Sequence, residues 1–497
     1  MTKHQAAEDR LAPAALAGVP PGSGAGRPAV LAAVLVVLAV ESTAVASLGT
    51  PLLPTIETVD HVSLAASQWA LTIALLTGAV ATPVLGRLGD GRLRRQAILG
   101  TVATMLAGCI LCAIPAGFAV FLTGRALQGA GFGLVPLATA VARDNLPAER
   151  RGHTIMVIGV TTAAGIGIGY PLVGLLAQGF GLYAPFWFVA VLSALALAAA
   201  MVVLPASPAR PVRVDAGGAV LLGLGIAGLL LVLAEGPGWG WTSPITVGSG
   251  IASVVLLPGW VVWELRARWP LIELRLLRRR PVVAANVTAF LVAVGFYPLA
   301  PLVVRFVQTP AAAGYGFGAT VLAAGLMLAP FSLASFAAST VVSRAARRVS
   351  AELVVVIGCV ALIASMVLFL VARDAYWQIV TAMALDGFGV GCVYAVNPLQ
   401  ITGSVPAAET GSAMSFYQLA RTVAYSIASA LSATLLVLSI PAGHHLPTNA
   451  GYNTAALIST AVLAIALAAS LLFALPARRT TRPAVPSSRD GDGQQLR

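Results

Sequence analysis

Residues 351–372 read AELVVVIGCVALIASMVLFLVA, a run whose one charged residue, Glu352, stands at its edge. As a helix rising ~1.5 Å per residue, the run covers the ~30 Å hydrocarbon slab of a bilayer. It has many companions, because runs of 20 or more apolar residues recur from Pro28 to Pro476. Fourteen spans are read, at about 28–50, 67–88, 95–115, 118–143, 153–178, 183–205, 215–235, 245–265, 281–307, 317–342, 351–372, 376–402, 410–440 and 453–476. Of the 497 residues, 58% are hydrophobic and 10% charged, against ~25% charged in a soluble chain. A soluble core of this size would not hide so much apolar side chain. The reading is an all-α polytopic membrane protein, and a soluble enzyme is excluded.

The net charge of +12 is explained by position. One set of loops holds Arg92, Arg94 and Arg95; Arg143, Arg150 and Arg151; Arg210 and Arg213; the run from Arg266 to Arg280; Arg344, Arg347 and Arg348; and Arg478, Arg479 and Arg482. The alternate loops hold almost none, with Arg373 the main exception. This is the positive-inside pattern, which predicts both termini in the cytoplasm. The charge orients the chain in the cell membrane, and nucleic acid is not an expected partner. A secretory leader over 29–46, with Ala44-Val45-Ala46 as a cleavage site, leaves the later topology unchanged. The pattern around Glu41 argues for a retained first span.

The longest internal loops, near 205–215 and 266–280, are basic and divide the spans six, two, six. The predicted organisation is a polar N-terminus (1–27), a six-helix bundle (28–205), two inserted helices with basic linkers (206–280), a second six-helix bundle (281–476) and a polar tail (477–497). Disorder is expected at both ends. The inserted pair carries Trp239 and Trp241, which suit an interfacial aromatic anchor. Span five concentrates Gly165, Gly167, Gly169, Pro171 and Gly174, with Gly165 and Gly169 stacked on one face. Tight packing and a kinkable contact used during bundle rocking are compatible readings of it.

Four charges fall deep within spans: Glu41, Arg125, Asp386 and Arg421. Each costs ~2.5–3.5 kcal/mol at the membrane centre, so each is a functional candidate. Glu41 lies 13 residues past Pro28, ~20 Å from the cytoplasmic edge. Arg125, seven residues past Phe118, lies ~10 Å below the outer edge, a matching depth. Asp386 and Arg421 also share a level, ~15 Å deep. Each half thus offers an acid and a base, and a carboxylate that gains or loses an arginine or water exchanges a proton. A static structural ion pair is the alternative. Arg125 shares a helical face with Gln128, Gly129 and Phe132. Asp386, Asn397 and Gln400 fall on one stripe, and Arg421 sits with Met414, Tyr417, Gln418 and Tyr425. Such a surface suits an amphipathic organic ligand; ordinary packing is the alternative.

Cys109 and Cys112 form a CxxC within a span, and Cys359 and Cys392 are also intramembrane. Without further ligands they are read as plain helix residues. His4, His61, His153, His444 and His445 show no ligand spacing, so no metal or other cofactor is expected. Gly124 and Gly129 lack a following Lys-Ser/Thr, which excludes a P-loop and ATP-driven export by this chain alone.

These residues give the chain a resemblance. From span one to span fourteen it resembles the fourteen-helix drug:proton antiporters of the major facilitator superfamily. Gly86-Arg-Leu-Gly-Asp-Gly-Arg-Leu-Arg-Arg95 looks like the superfamily signature between spans two and three. Leu93 stands where the second glycine is usual and Gly91 where the first basic residue is. Leu122-Thr-Gly-Arg-Ala-Leu-Gln-Gly-Ala-Gly131 resembles the span-four motif, whose arginine the resemblance ties to proton transfer. Gly165 to Gly174 resembles the span-five antiporter motif, with Tyr170 intervening between Gly169 and Pro171. Glu41-Ser-Thr-Ala-Val-Ala-Ser-Leu-Gly-Thr-Pro51 is similar to the span-one motif, with Glu where Asp is usual. The segments at Asp215, Trp239-Gly-Trp241, Pro270-Leu-Ile-Glu-Leu274 and Gln308 resemble the same branch.

The resemblance implies two rocking six-helix bundles around a central cavity, working as a monomer that exports small amphipathic compounds or drugs in exchange for protons. Glu41 would carry the proton and Arg125 modulate it, with Asp386 and Arg421 as the second pair. Gly86, Asp90, Arg94, Arg95 and Arg143 would form a cytoplasmic latch, with Asp90 bonding backbone N–H groups and pairing with Arg94 or Arg143. A proton-linked importer or uniporter and a non-transporting membrane sensor are the competing classes.

Overall fold

A computed structural model describes residues 26–48, 52, 56, 59–62, 64–345, 348–441 and 446–474. The two polar termini, the end of the span-one motif (Gly49, Thr50 and Pro51), Arg347, His444 and His445 lie outside the described residues. The described residues form helices, 3-10 turns and loops, with no strand among them. The helices are α1 Gly26–Ser47, α2 Leu64–Gly89, α3 Arg94–Ala113, α4 Phe118–Gly129, α5 Leu134–Asn145, α6 Ala148–Phe180, α7 Ala184–Val203, α8 Ala216–Trp239 and α9 Pro244–Arg266. They continue with α10 Arg280–Phe296, α11 Leu299–Gln308, α12 Val321–Leu326, α13 Ala329–Ala345, α14 Ala351–Val371, α15 Tyr376–Ser404, α16 Thr410–Leu438 and α17 Asn449–Ala474.

Among the described residues thirteen helical segments are long and apolar enough to cross a membrane. The 33-residue α6 adds another, long enough at ~1.5 Å per residue to cross with some turns to spare. Three expected single spans are each broken into two helices. Span four passes from α4 to α5 through the glycine-rich 3-10 turn Ala130–Gly133. Span nine breaks at Tyr297 and Pro298, between α10 and α11. Span ten breaks between α12 and α13, just before Pro330. Proline removes an N–H from the helical ladder, so it favours such breaks where neighbours re-satisfy the backbone.

The apolar side chains among the described residues pack in four clusters, one of them joining Leu48, Ala70, Cys109, Phe121 and Phe186 within the first half. Helices α10–α17 share one apolar core, built around Val292, Leu362, Val390, Tyr394 and Leu463, and α6 inserts Met156 and Val160 into it. Helices α1, α3, α5, α6 and α7 share another, around Leu35, Ile98, Leu134 and Ile158. The pair α8–α9 joins a smaller cluster in which Leu222 and Ile226 of α8 meet Ala79 of α2 and Leu419 of α16. The inserted pair is therefore seated on the seam, touching both halves. Its second helix turns Ile251, Val254 and Val255 outward, as lipid-facing positions require.

Candidate functional site

At the end bearing the arginine loops, hereafter the basic end, α2 closes against α16. Asp90 follows the last residue of α2 and is fully buried. Its Oδ1 accepts from the Gly411 N–H at 2.6 Å. Its Oδ2 accepts from the Ser412 N–H at 2.9 Å and from Ser412 Oγ at 2.7 Å. Those N–H groups are in the first turn of α16, where helix donors lack internal partners and the dipole favours an anion. Asp90 thus caps a helix of the opposite half. Three further contacts surround it. Arg87 Nη1 pairs with Glu409 Oε2 at 2.7 Å. Arg143 donates to the carbonyls of Val405, at 2.7 Å, and Pro406, at 3.1 Å, and to Thr410 Oγ1. Gly86 lies so close to Gly411 and Ser415 that no side chain fits between them.

The expected pairing of Asp90 with Arg94 or Arg143 is therefore corrected. Arg94 pairs with Asp144 at 2.9 Å and donates to the Gly89 carbonyl, staying within its own half. Arg95 donates to the Met201 carbonyl at 2.6 Å. A helix terminus, not an arginine, satisfies Asp90.

Within the membrane the four predicted charges are buried but do not form the two expected pairs. The ion pairs among the described residues are Arg87–Glu409, Arg94–Asp144 and Arg210–Asp144. Glu41 is fully buried, and neither carboxylate oxygen has a hydrogen-bond partner. Ser193 lies beside it without a bond of normal geometry. Arg125 donates to the Ala70 carbonyl at 2.8 Å, to Gln128 Oε1 at 2.5 Å and, at 3.4 Å, to the carbonyl of Val45. Val45 is one turn beyond Glu41 on α1, ~6 Å further along the axis, so the two depths do not coincide. Between them runs a polar chain, since Gln128 Nε2 also donates to Cys109 Sγ at 3.2 Å. Cys109 lies in the electrostatic reach of both Glu41 and Arg125.

Asp386 is also buried, with Oδ1 unpartnered. Its neighbour Gly387 is packed against the backbone of Phe331 on α13. Arg421 stands elsewhere, stacked 3.8 Å from the ring centre of Tyr394 and flanked by the rings of Tyr417 and Tyr425. Its Nη2 donates to Tyr425 Oη at 2.8 Å. Tyr394 is two turns beyond Asp386 on α15, ~12 Å along the axis, which separates acid from base. Three tyrosine faces replace the carboxylate as the cation's partner.

The ligand stripe is divided too. Met414, Tyr417 and Gln418 are buried, and Phe132 packs against Gly78. Asn397 is buried and donates to the Ala285 carbonyl at 3.1 Å. Gln400 instead lines a 490 Å³ cavity at the basic end, with Arg280, Thr288, Glu352, Ser404 and Phe473. In span five, Gly165 and Gly169 press against Thr43 and Ser47 of α1, within one half. The contacts across the seam come from Pro171, near Gly325, and from Gly159, against the Tyr394 carbonyl. Gly174 has open space around it.

This two-half architecture has a counterpart among known proteins. Residues 34–429 and 304–494 match the family model described as Major Facilitator Superfamily. The chain belongs to the major facilitator superfamily. Among curated relatives, it is 33% identical over 296 residues to the tetracenomycin C resistance and export protein of Streptomyces glaucescens, covering 57% of this chain and 53% of that one. It is 32% identical over 300 residues to an uncharacterized MFS-type transporter of Mycobacterium tuberculosis, covering 58% and 42%. It is 28% identical over 375 residues to Multidrug resistance protein Stp of the same organism, covering 74% and 68%. The match thus spans about half the length of the first two relatives. The human organic anion transporter MFSD10 superposes with a TM-score of 0.60 at 17% identity, covering 91% of this chain and all of that one. A peptide transporter POT structure superposes equally, at 0.60 and 17% identity, covering 92% and 97%. These likenesses are of fold. This superfamily member is a multi-pass helical membrane protein.

Several residues of the site are not among those the sequence singles out: Arg87, Glu409, Ser412, Asp144 and Tyr394. A signal existed for two of them. Glu409-Thr-Gly-Ser412 opens a long apolar helix, and such a start presents free N–H groups to an anion.

The Asp90 contact with α16 is expected to depend on pH. Burial pushes the Asp90 carboxyl up to about 7, against the pull of its bonds from Ser412 and Gly411. Opened to water, the same group would return toward the ordinary ~3.9. The contact is therefore expected to hold a proton when closed and, on opening to water, to release it between roughly pH 4 and 7. Acidification through that window favours closure, and the preference is lost as pH rises through about 7. Distances between labels across the basic end, measured from pH 8 to 5, should show the closed population rising, and Asp90→Asn should flatten the curve.

Proposed function

We propose that this transporter exports small amphipathic organic compounds in exchange for protons by alternating access. The observation that carries the reading is Glu41, a buried carboxylate with no hydrogen bond to either oxygen. Such a group is costly in lipid unless it is protonated or periodically meets water. An exchange of protons as the halves rock supplies that reason. The names of the export and resistance relatives support the direction and the substrate class. The basic end is the cytoplasmic one, with both termini inside the cell membrane. The closed latch then makes this conformation one sealed toward the cytoplasm.

In this reading residues 28–205 and 281–476 are the rocking bundles, 206–280 is the inserted unit, and no cofactor is needed beyond the proton. Arg125 tunes Glu41 through the Gln128–Cys109 chain rather than by direct pairing. Arg421 and its tyrosines, with Met414 and Gln418, form the wall nearest an amphipathic ligand, and Asp386 is a second buried acid. The test is transport by the purified monomer in proteoliposomes under an imposed pH gradient, with tetracenomycin C and an amphipathic fluorescent dye as probes. Gradient-dependent movement of either probe, with counterflow of protons, is expected. Movement insensitive to the gradient would overturn the coupling, and accumulation with the proton flow would make the protein an importer.

A further inference from the structure

The inserted pair ends in a buried acid to which the transport reading assigns no role. Glu264, near the end of α9, is 3% exposed. Its Oε1 accepts from the Ile272 N–H at 2.5 Å, which ties down the connection to α10. Its Oε2 has no hydrogen-bond partner. A second carboxylate stands beside it. Gly218 offers bare backbone to both acids, and Asp215 Oδ2 and Glu264 Oε2 each lie 2.7 Å from where a Cβ would stand. Asp215 Oδ2 already accepts from Trp263 Nε1 at 2.7 Å. Glu264 Oε2 is therefore the unspent acceptor of an acidic pair.

A cation stands on the adjoining helix. Ile272, which Glu264 holds, packs in one cluster with Ala79 and Val84 of α2, and Arg87 follows in the last turn of that helix, its charge acting on Glu264. It gives Nη1 to Glu409 across the latch, while its buried Nε has no partner. A buried donor and a buried acceptor, each unsatisfied and in one another's field, cost free energy while apart. The seating of α8 between α2 and α16 puts that acceptor on the seam that must open.

Resting on the alternating-access reading, we propose that Glu264 is a gate-positioning residue, the second partner of Arg87. In the closed latch Arg87 holds Glu409. When α16 withdraws, Arg87 turns to Glu264, so the inserted pair stabilises the open state and the guanidinium is never stranded. Alternation between two acceptors keeps the two states near balance, as a transporter that visits both requires.

The test uses the full chain with labels at the exposed positions Glu149 and Arg348, on the two halves at the basic end. Glu264→Gln keeps an oxygen for Ile272 and removes only the charge. It should lower the open population about fivefold, the scale of one partly buried pair, with little change in Tm. Glu409→Gln should shift the population the other way, and the double variant should return toward the wild-type ratio. An unchanged open fraction in Glu264→Gln, with wild-type protein showing two distances, would overturn the proposal alone. One distance in wild-type protein under all conditions would instead remove alternating access, and this proposal with it. A fall in Tm without a shift in the ratio would mark Glu264 as merely structural.

Discussion

Glu41→Gln is expected to abolish gradient-driven export while leaving the fold intact or slightly more stable. The two effects have one cause. Glu41 is enclosed on α1 with both oxygens unpartnered. An ionised carboxylate there would cost ~2.5–3.5 kcal/mol even on the lenient insertion scale. Glutamine has nearly the same shape and no charge to desolvate, so the packing around it survives. What is lost is the exchangeable proton. Transport under an imposed pH gradient should fall to the level of empty vesicles, whereas Tm should hold or rise. Glu41→Asp keeps the proton but shortens the reach, and should retain part of the rate. A stability loss accompanied by normal transport would reverse the assignment and make Glu41 a packing residue. Arg125→Lys should be milder than the loss of Glu41, because Arg125 acts only through Gln128 and Cys109.

What the sequence disclosed and what it withheld follow from the reach of each argument. Hydropathy and the arginine loops are properties of single segments, so the spans and the basic end were legible from them. The breaks in spans nine and ten were signalled by Pro298 and Pro330, yet a run-based reading joins across them. The charge pairs were not legible, because depth counted from a span edge carries an error of about one turn, ~5 Å. One turn is the offset by which Arg125 misses Glu41, and two turns separate Asp386 from Arg421. Asp90 shows a different limit. It was singled out, but its partner is an N-terminus in the other half, 321 residues on, and no local pattern names a partner at that range. The same holds for Arg421: its tyrosines Tyr417 and Tyr425 share its helix, while Tyr394 comes from α15.

Gly86→Val is expected to have the other large effect, trapping the protein open at the basic end. A Cβ at Gly86 would stand 1.7 Å from Ser415 Oγ and 2.7 Å from the Gly411 carbonyl oxygen. The serine hydroxyl has other rotamers, but the carbonyl belongs to the first turn of α16 and has none. The helices must separate, and separation withdraws Gly411 and Ser412 from Asp90. Hydrogen bonds of this kind contribute ~0.5–1.5 kcal/mol each, and three are lost together. A difference of ~1.4 kcal/mol is already tenfold in a population, so the closed state should be nearly emptied. Each half keeps its own apolar core, so expression and membrane insertion should persist. Export should fall at least about tenfold, because a cycle that never seals its basic end never completes. Label distances across the basic end should lengthen and lose their dependence on pH, since Asp90 would be solvated throughout. Ser415→Gly in a Gly86→Ala background should restore part of the closed population by removing the nearer collision, leaving only the carbonyl contact to be relieved. A Gly86→Val protein that retained wild-type distances and rate would show that the α2–α16 approach is a packing detail and that the latch opens and closes elsewhere.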